Sequence, residues 1–226
     1  MIFFNKSKGI DPVKNILSTE LEVNKWSISE FVAKKLVPVV GMHPYPLDEL
    51  MLMASMCCLV KPTHIVEWGT HIGKSARIFY ETIKYFNIKC EILSFDLPDD
   101  VEHGEHPQSK RGMLVKRFKE VKLFQEDALV KGIQLFEDSK VLDKRILFFV
   151  DGDHEYTTVK MELATIFSKV PDAQVLLHDT FYQSEDSGYN IGPINAVREF
   201  LSGRNDLRVI HTNLGLPGMT FIGKII

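Results

Sequence analysis

The sequence has little cysteine, no long hydrophobic run and no excess of positive charge, and each of these absences excludes a class of protein. Cysteine occurs only at Cys57, Cys58 and Cys90, an odd number in which two residues are adjacent. This spacing gives neither a disulfide framework nor a zinc-binding pattern, so reduced thiols in the cytoplasm are expected. No apolar stretch approaches the roughly 18 residues that a membrane-spanning helix needs. The first residues also lack the cleavage pattern of a secretory signal, and we therefore expect a cytoplasmic protein without membrane association.

The charge balance is slightly acidic. The 226 residues include 27 Lys and Arg and 30 Asp and Glu, which gives a formal net charge of −3. Such a chain has no basic field that would attract a polyanion, so a nucleic acid is not expected as a partner. Apolar residues make up 45% of the chain and charged residues 25%, which is typical of globular rather than disordered proteins.

From Pro62 onward, short apolar runs alternate with segments of helical periodicity. This alternation predicts an α/β fold, a Rossmann-like three-layer sandwich with a mostly parallel sheet of seven strands. The predicted strands are 64–68, 91–95, 121–124, 146–150, 174–178, 207–211 and 219–222. Only residues 212–218 separate the last two strands, which is too few for a helical crossover, so the last strand is expected to be antiparallel.

Helices are predicted between these strands and before the first one. Apolar residues recur at helical spacing in the segments 47–54, 76–86, 159–170 and 193–201. Ser75 is expected to cap the second of these helices. A further amphipathic stretch covers 28–37. We interpret residues 1–45 as an N-terminal helical arm or lid and residues 46–226 as the main domain, and an arm of this kind makes a homodimer plausible.

A glycine-rich turn follows the first predicted strand, at the edge of the sheet where open α/β folds bind ligands. Gly69 and Gly73 let the backbone pass close to a ligand, but neither the dinucleotide fingerprint nor the phosphate-binding loop is present. Glu67 precedes the turn and would repel a pyrophosphate, whereas it would attract a cationic or neutral polar ligand. S-adenosylmethionine meets this requirement because it carries an amino group and a sulfonium but no phosphate. Thr70 and Ser75 complete the predicted site for its methionine part.

The second and third predicted strands lead into acidic residues. Asp96 comes 23 residues after Gly73, near the position where a carboxylate accepts the hydroxyls of a ribose. Asp127 follows the third strand, and its side chain or the amide of Ala128 is expected to bind the adenine edge, while Leu97 packs on the ring. Taken singly, each carboxylate is equally compatible with a solvated strand end or a helix cap.

The combined motifs resemble those of the class I S-adenosylmethionine-dependent methyltransferases. They are Glu67-x-Gly69-x-x-x-Gly73-x-Ser75, Asp96 and Asp151-Gly152-Asp153-His154-Glu155-Tyr156. Within that class the chain is most similar, over residues 63–180, to the bacterial small-molecule branch related to macrocin and catechol O-methyltransferases. The resemblance implies a seven-stranded sheet with an antiparallel last strand and a small-molecule acceptor. It also implies that the histidine of D-x-x-H acts as a base in metal-dependent relatives, and that residues 46–226 form the methyltransferase domain.

The fourth predicted strand delivers Asp151 and His154 to the same edge of the sheet. A histidine titrates near neutrality, so His154 is predicted to take the proton of an acceptor hydroxyl next to Asp151. The alternative is a residue at a helix start that is hydrogen-bonded to the backbone. Asp153 is interpreted as a helix cap. Asp179 ends the fifth strand and, together with Asp151, predicts a Mg²⁺ site that would orient the acceptor oxygen.

The metal prediction leaves alternatives open. Metal-using relatives commonly have Glu-Asp or Asp-Asn where this chain has His178-Asp179. Either Asp179 merely caps a loop, or His178 joins it as a ligand and favours a transition metal over Mg²⁺.

Two long loops, 98–112 and 182–193, follow strand ends. The first contains an acidic and histidine-rich group that we interpret as a solvated loop rather than a metal cluster. Its members are Glu102, His103, Glu105 and His106. The second loop contains three candidates for lining an acceptor pocket, namely Tyr182, Tyr189 and Asn190.

These observations predict an S-adenosylmethionine-dependent O-methyltransferase that acts on a hydroxyl of a small metabolite, either sugar-containing or phenolic. The alternatives are a metal-dependent hydroxylase of the same fold and a cofactor-binding protein without turnover. A nicotinamide-dependent reductase is disfavoured by the missing third glycine and by the acidic residue before the turn.

Overall fold

A seven-stranded sheet forms the centre of the protein. The computed structural model describes residues 23–101, 108–134, 145–184, 186, 191–212 and 214–224. The strands are β1 (His64–Trp68), β2 (Glu91–Asp96), β3 (Val121–Gln125), β4 (Ile146–Val150), β5 (Gln174–His178), β6 (Leu207–Thr212) and β7 (Met219–Lys224). Their order in the sheet is β3-β2-β1-β4-β5-β7-β6. Only β7 pairs antiparallel with its neighbours, so the predicted seven-stranded sheet with an antiparallel last strand is confirmed.

Helices cover both faces of the sheet. They are α1 (Lys25–Phe31), a π-helical segment (Val32–Leu36), α2 (Val37–Val40), α3 (Leu47–Val60), α4 (Lys74–Tyr85), a 3₁₀ turn (Gln108–Lys110), a π-helical turn (Ala128–Gly132), α5 (Tyr156–Lys169) and α6 (Gly192–Leu201). Strands β4 and β5 are buried along their whole length. Their continuous apolar runs are typical of parallel strands with helices on both sides.

Two separate hydrophobic cores result from this layering. Successive side chains of a strand point to opposite faces of the sheet. In β4, Phe149 therefore packs with the residues of α1 to α4, whereas Phe148 packs with those of α5 and α6. In β1, Ile65 likewise belongs to the core with Phe149 and Val66 to the core with Phe148. The layers bring the C-terminal ends of β1, β2, β4 and β5 to one edge.

The N-terminal helices belong to the first of these cores. Ile28, Phe31, Val32 and Leu36 are fully or almost fully buried, and the ring of Phe31 lies 5.1 Å from that of Phe86, edge to face. The amphipathic stretch 28–37 is thus helical and packs against α3 and α4. The division at residue 45 into an arm and a domain stays a prediction.

One local prediction about α4 is wrong. Ser75 was expected to cap this helix, but α4 begins at Lys74, behind Gly73 in a left-handed conformation. The turn conformation of Gly73 ends the preceding loop, so Ser75 lies inside the first helical turn and is buried. Among the described residues, no helix has the length and apolar character needed to cross a membrane.

Candidate active site

The glycine turn after β1 is packed closely against other parts of the chain. Gly69 and Gly73 both have positive φ angles, of 89° and 87°, which favour glycine. A Cβ at Gly69 would collide with the carbonyl oxygen of Asp151, and one at Gly73 would lie 2.7 Å from Val115 Cγ2. The close contacts that require glycine at these two positions are made by other residues of the protein. Cofactor contacts of the two glycines stay a prediction.

Glu67 lies beneath this turn, because its side chain shares the face of β1 that α4 covers. It is fully buried, and its Oε2 accepts a hydrogen bond from the Ser94 hydroxyl, which also contacts Thr70 Oγ1 at 2.7 Å. Burial raises the pKa of Glu67 to about 8, against the lowering effect of the Ser75 and Ser94 hydroxyls. Glu67 is therefore a neutral acid near pH 7, which corrects the charge assumed for it in the sequence.

Asp96 ends β2 at the predicted position and has three hydrogen-bond donors around it. Its carboxylate accepts from the His71 amide at 3.0 Å, the Leu97 amide at 2.9 Å and Arg111 Nε at 3.2 Å. Arg111 also contacts Asp99 at 2.6 Å. The sequence analysis missed Arg111, because the burial that pairs it with Asp96 is visible only in the structure.

Asp127 caps the helical turn that follows it, which is one of the roles that the sequence left open. Its Oδ1 accepts a hydrogen bond from the Val130 amide at 2.8 Å, at the start of the π-helical turn that begins with Ala128. Asp153 likewise accepts from the Glu155 amide at 2.9 Å, just before α5. The predicted adenine contacts of Leu97, Asp127 and Ala128 are not tested by these local bonds.

The C-terminal ends of β4 and β5 bring two aspartates and two histidines together. Asp151 Oδ1 lies 3.0 Å from His178 Nδ1 and 3.8 Å from His154 Nε2. Asp179 Oδ2 lies 3.0 Å from His154 Nε2 and 3.3 Å from His178 Nδ1. Asp179 has a φ angle of 56°, an uncommon left-handed conformation for a residue with a side chain. The predicted proximity of Asp151, His154 and Asp179 is present in the structure.

Two residues of the N-terminal third complete this cluster, and the sequence analysis missed both. The Tyr45 hydroxyl donates to Asp151 Oδ2 at 2.6 Å. Glu49 Oε2 lies 3.0 Å from His178 Nε2, and Glu49 Oε1 accepts from the Gly218 amide at 2.8 Å. A signal for Glu49 existed, because it shares the buried face of α3 with Met53.

The clustered charges shift the pKa values of their members. The nearby carboxylates of Asp151 and Asp179 raise the pKa of His154 to about 10, although burial opposes this. Burial lowers the pKa of His178, but its carboxylate partners outweigh burial and raise it well above the usual range. The two histidines in turn hold the pKa of Asp179 well below its usual range. Positive charge brought to the two carboxylates would lower the pKa of His154 again.

The donor set of the cluster fits a divalent cation. One ligand atom each from Asp151, His154 and Asp179 lies within 4.8 Å of the other two. His154 Nε2 is buried and has no aligned hydrogen-bond partner among the residues that the structure describes, despite the nearby carboxylate oxygens. A nitrogen in an ordinary imidazolium–carboxylate pair would direct its N–H at an oxygen. His154 Nε2 therefore has a carboxylate oxygen 3.0 Å away but no aligned hydrogen bond among the described residues.

The cofactor side of the edge also has an unsatisfied polar atom. Glu67 Oε1 is buried without a hydrogen-bond partner within the described ranges. Buried oxygens of this kind are uncommon in folded proteins and call for a donor, and the amino group of S-adenosylmethionine is one.

Among the remaining candidates from the sequence, Tyr182 lies within the described residues. Tyr182 is half-exposed, and the guanidinium of Arg198 lies 3.8 Å from the centre of its ring. The others fall outside the described residues, namely Glu102, His103, Glu105, His106, Tyr189 and Asn190.

Comparison with known proteins identifies the family of the chain. Residues 39–214 match the model of the family Rhamnosyl O-methyltransferase/CmcI, whereas no curated protein matches the chain significantly. The O-methyltransferase TomG from Streptomyces achromogenes, involved in tomaymycin synthesis and solved in complex with S-adenosylmethionine, is 14% identical, with a TM-score of 0.57 over 88% of each chain. An O-methyltransferase from Bacillus cereus in complex with S-adenosylhomocysteine is 11% identical, with a TM-score of 0.56 over 93% of each chain.

A third similar structure is the S-adenosylhomocysteine-bound methyltransferase PaMTH1 from Podospora anserina. It is 17% identical, with a TM-score of 0.55 over 88% of this chain and 87% of that one. At these identities the structures establish the shared fold, while the family match covers more than half of the chain. The chain therefore belongs to the rhamnosyl O-methyltransferase/CmcI family, and it is an S-adenosylmethionine-dependent O-methyltransferase.

Proposed function

We propose that this O-methyltransferase acts on a hydroxyl of a small sugar-containing or phenolic metabolite and that His154 is its general base. The observation that carries the proposal is the buried His154 Nε2, which has no aligned hydrogen-bond partner in the described part of the chain. Its side chain is about one-third exposed, so the ring lies between the buried carboxylates and the solvent side of the cluster. The family description, which names a rhamnosyl acceptor, supports a sugar hydroxyl.

Residues along the edge of the sheet hold the cofactor in this proposal. Bound S-adenosylmethionine supplies a methyl group on a sulfonium, which is the electrophile of the reaction. The methionine part is assigned to Glu67, Gly69, Thr70, Gly73 and Ser75, the ribose to Asp96, and the adenine to Leu97, Asp127 and Ala128. Support comes from the unsatisfied oxygen of Glu67 and from the position of Asp96 at the end of β2.

The main task of the catalytic residues is to remove the proton of the acceptor hydroxyl. Methyl transfer requires the acceptor oxygen to be held in line with the methyl group and to lose its proton. Only neutral His154 can take this proton on Nε2, after which Asp179 and Asp151 stabilise the imidazolium that forms. Because a pKa of about 10 keeps the ring protonated near pH 7 in the protein alone, this role requires a lower pKa, which positive charge at the two carboxylates would produce. Tyr45 holds Asp151 in place through its hydroxyl. A divalent cation between Asp151 and Asp179 would polarise the acceptor oxygen and compensate the two carboxylates.

The test is the substitution His154→Gln, which keeps a polar side chain but removes the base. We expect turnover to fall by about 100-fold or more, while the affinity for S-adenosylhomocysteine, measured by calorimetry, stays unchanged. Turnover is measured as S-adenosylhomocysteine release on a panel of glycosides and phenols. His64→Gln is the matched control, because His64 begins β1 at the opposite edge of the sheet. Full turnover in His154→Gln would remove the assignment of the base.

A homodimer, the absence of a nucleic-acid partner and a cytoplasmic location stay predictions. The exposed Trp26 and Met42 of the N-terminal segment support the first of these. Light scattering on the purified protein measures the molar mass directly, and a mass of one chain across the accessible concentration range would contradict a dimer.

A further inference from the structure

We infer that Glu162, a buried acid of α5, binds the adenine ring of S-adenosylmethionine as a neutral hydrogen-bonding group. The inference rests on the placement of the adenine in the proposed function, and it adds a residue that belongs to none of the sequence motifs. It is carried by a carboxyl group that is buried on the inner side of α5 without a partner.

Glu162 interrupts an otherwise apolar helix face. The other buried residues of α5 are Val159, Leu163, Ile166 and Phe167, which belong to the core between this helix and the sheet. Glu162 is only 5% exposed, and its Oε2 is buried with no hydrogen-bond partner among the residues that the structure describes. Burying a carboxyl group in this way costs free energy that an apolar residue would not cost. Such an exception in a regular pattern is expected where a residue serves binding.

The carboxyl group of Glu162 is directed toward the binding edge of the sheet. Helix α5 begins at Tyr156, shortly after the end of β4, so its N-terminal end lies at the edge where β1, β2 and β4 end. Side chains of a helix lean back toward its N-terminus, and Glu162 lies about two turns into α5. Its carboxyl group therefore reaches back toward that edge from below.

Neighbouring elements locate Glu162 beneath the part of the edge that the proposed function assigns to the adenine. Helix α5 packs against the π-helical turn that begins with Ala128. Burial, and then the charges of Asp153 and Asp127, raise the pKa of Glu162 to about 8. Asp153 follows β4 and Asp127 follows β3, and β1 and β2 lie between these strands in the sheet. A carboxyl group close to both aspartates thus lies under the crevice between them.

A neutral carboxyl group suits the polar edge of an adenine ring. In its protonated form, Glu162 has one O–H donor and retains acceptor capacity. Adenine offers the complementary groups, namely ring nitrogens that accept and an amino group that donates. Because adenine carries no charge, an ionised carboxylate would lose its solvation there without gaining an opposite charge. The acid form of Glu162 avoids this cost.

The structural alternative is a hydrogen bond between Glu162 and Trp68. The indole Nε1 of Trp68 is also buried without a partner in the described part of the chain, and Trp68 belongs to the same core. The substitution Glu162→Leu separates the two roles. It removes an unsatisfied group if Glu162 serves the adenine, but it removes a stabilising bond if Glu162 pairs with Trp68.

The experiment measures S-adenosylhomocysteine binding by calorimetry and the free energy of unfolding in urea, on the full-length protein and its variants. We expect Glu162→Leu to weaken binding by about tenfold and, without ligand, to be at least as stable as the wild type. Glu162→Gln has a carboxamide that also donates and accepts, so its affinity should stay within about threefold of the wild type. Glu199→Leu is the matched control, because Glu199 is half-exposed on α6 and pairs with Lys160, and its affinity is expected to stay unchanged.

A second ligand locates the contact. Methylthioadenosine has the adenosine part of the cofactor but no amino-acid part, so Glu162→Leu should weaken its binding by the same factor. A loss confined to S-adenosylhomocysteine would overturn the inference, because Glu162 would then act through the methionine part. Unchanged affinity for both ligands would overturn it as well, and an accompanying loss of stability would assign Glu162 to a bond with Trp68.

Two further comparisons complete the test. A loss of affinity in Glu162→Gln as large as that in Glu162→Leu would overturn the neutral hydrogen-bonding role. Circular dichroism shows whether each variant is folded, and Glu162→Met replaces Glu162→Leu should the latter not fold.

Leu97→Ala distinguishes failure of this inference from failure of the adenine placement, because the proposed function assigns Leu97 to the adenine ring. Weaker binding in Leu97→Ala with unchanged binding in Glu162→Leu would keep the placement and remove only the role of Glu162. Unchanged binding in both variants would remove the placement together with the inference. The turnover test of His154 is independent of each of these results.

Discussion

The buried carboxyl of Glu67 makes the stability of the protein depend on pH in a way that one substitution removes. Its pKa is about 8 in the folded protein, mainly because of burial, against 4.5 for an ordinary glutamate. The folded state therefore binds this proton more tightly than the unfolded chain. The stability from this group is fully present below pH 4.5 and is lost as the pH rises through 8. Glu67→Gln has nearly the same shape and is neutral at every pH.

The size of the effect follows from the pKa difference. Each pKa unit corresponds to about 1.4 kcal/mol, so ionising Glu67 costs the folded state about 5 kcal/mol in full. Between pH 6 and pH 9 the wild type should lose about 3 kcal/mol of unfolding free energy relative to Glu67→Gln. The hydroxyls of Ser75 and Ser94 remain as polar partners for the carboxamide.

Urea unfolding at pH 6, 7.5 and 9, measured on both proteins without cofactor or metal, provides the comparison. Other groups titrate in this range, but they are common to both proteins and cancel in the difference between them. A difference that stays constant from pH 6 to pH 9 would refute the reasoning, because it would mean that Glu67 is already ionised in the folded state or is not buried.

Three further predictions concern the cofactor site and the core. Asp96→Asn should weaken S-adenosylhomocysteine binding by about tenfold or more in calorimetry, because it removes a charged acceptor; unchanged affinity would remove the ribose assignment. Gly73→Ala should cost about 1 to 3 kcal/mol in urea unfolding, given its positive φ and close packing, and a neutral result would contradict that geometry. Phe31→Ala should lower the free energy of unfolding by about 3 to 5 kcal/mol. Trp26 is 87% exposed, so Trp26→Ala should lower it by less than about 0.5 kcal/mol. Equal losses in the two variants would place the N-terminal helices outside the core.

In the proposed function, the cluster at the ends of β4 and β5 places binding and proton transfer at one edge of the sheet. Parallel strands end side by side, so residues far apart in the chain arrive at one place with fixed spacing. The inner members, His178 and Glu49, are almost fully buried, and the outer member, His154, is partly open. Burial therefore separates His178 and Glu49 from His154, the group that we propose meets the acceptor.

Much of the fold could be predicted because it depends on local patterns. All seven strands were predicted within one or two residues of their ends, since continuous apolar runs between helical stripes are typical of a covered parallel sheet. The hairpin of β6 and β7 followed from the short connection of residues 212–218. The cap at Ser75 was predicted wrongly, because the φ angle of Gly73 ends the loop one residue earlier than side-chain capping rules suggest.

The site was predictable to the extent that its residues follow strands directly. Asp96, Asp151 and Asp179 each come at or just after the last residue of a strand, and the shared edge brings Asp151 and Asp179 together. Tyr45 and Glu49 were missed because they lie 106 and 129 residues from their partners Asp151 and His178. No spacing rule connects such positions.

The sequence by itself thus determined the element order, the antiparallel last strand and the set of acids along the binding edge, because these depend on periodicity and on short connections. Only the tertiary structure decided that Glu67 is a buried neutral acid and that His178 lies between Glu49 and two aspartates. Burial and the approach of distant side chains set the charge and the hydrogen bonds of each group. The burial of Glu67 requires α4 to pack on the sheet, and the contact of Glu49 with His178 requires α3 to do so.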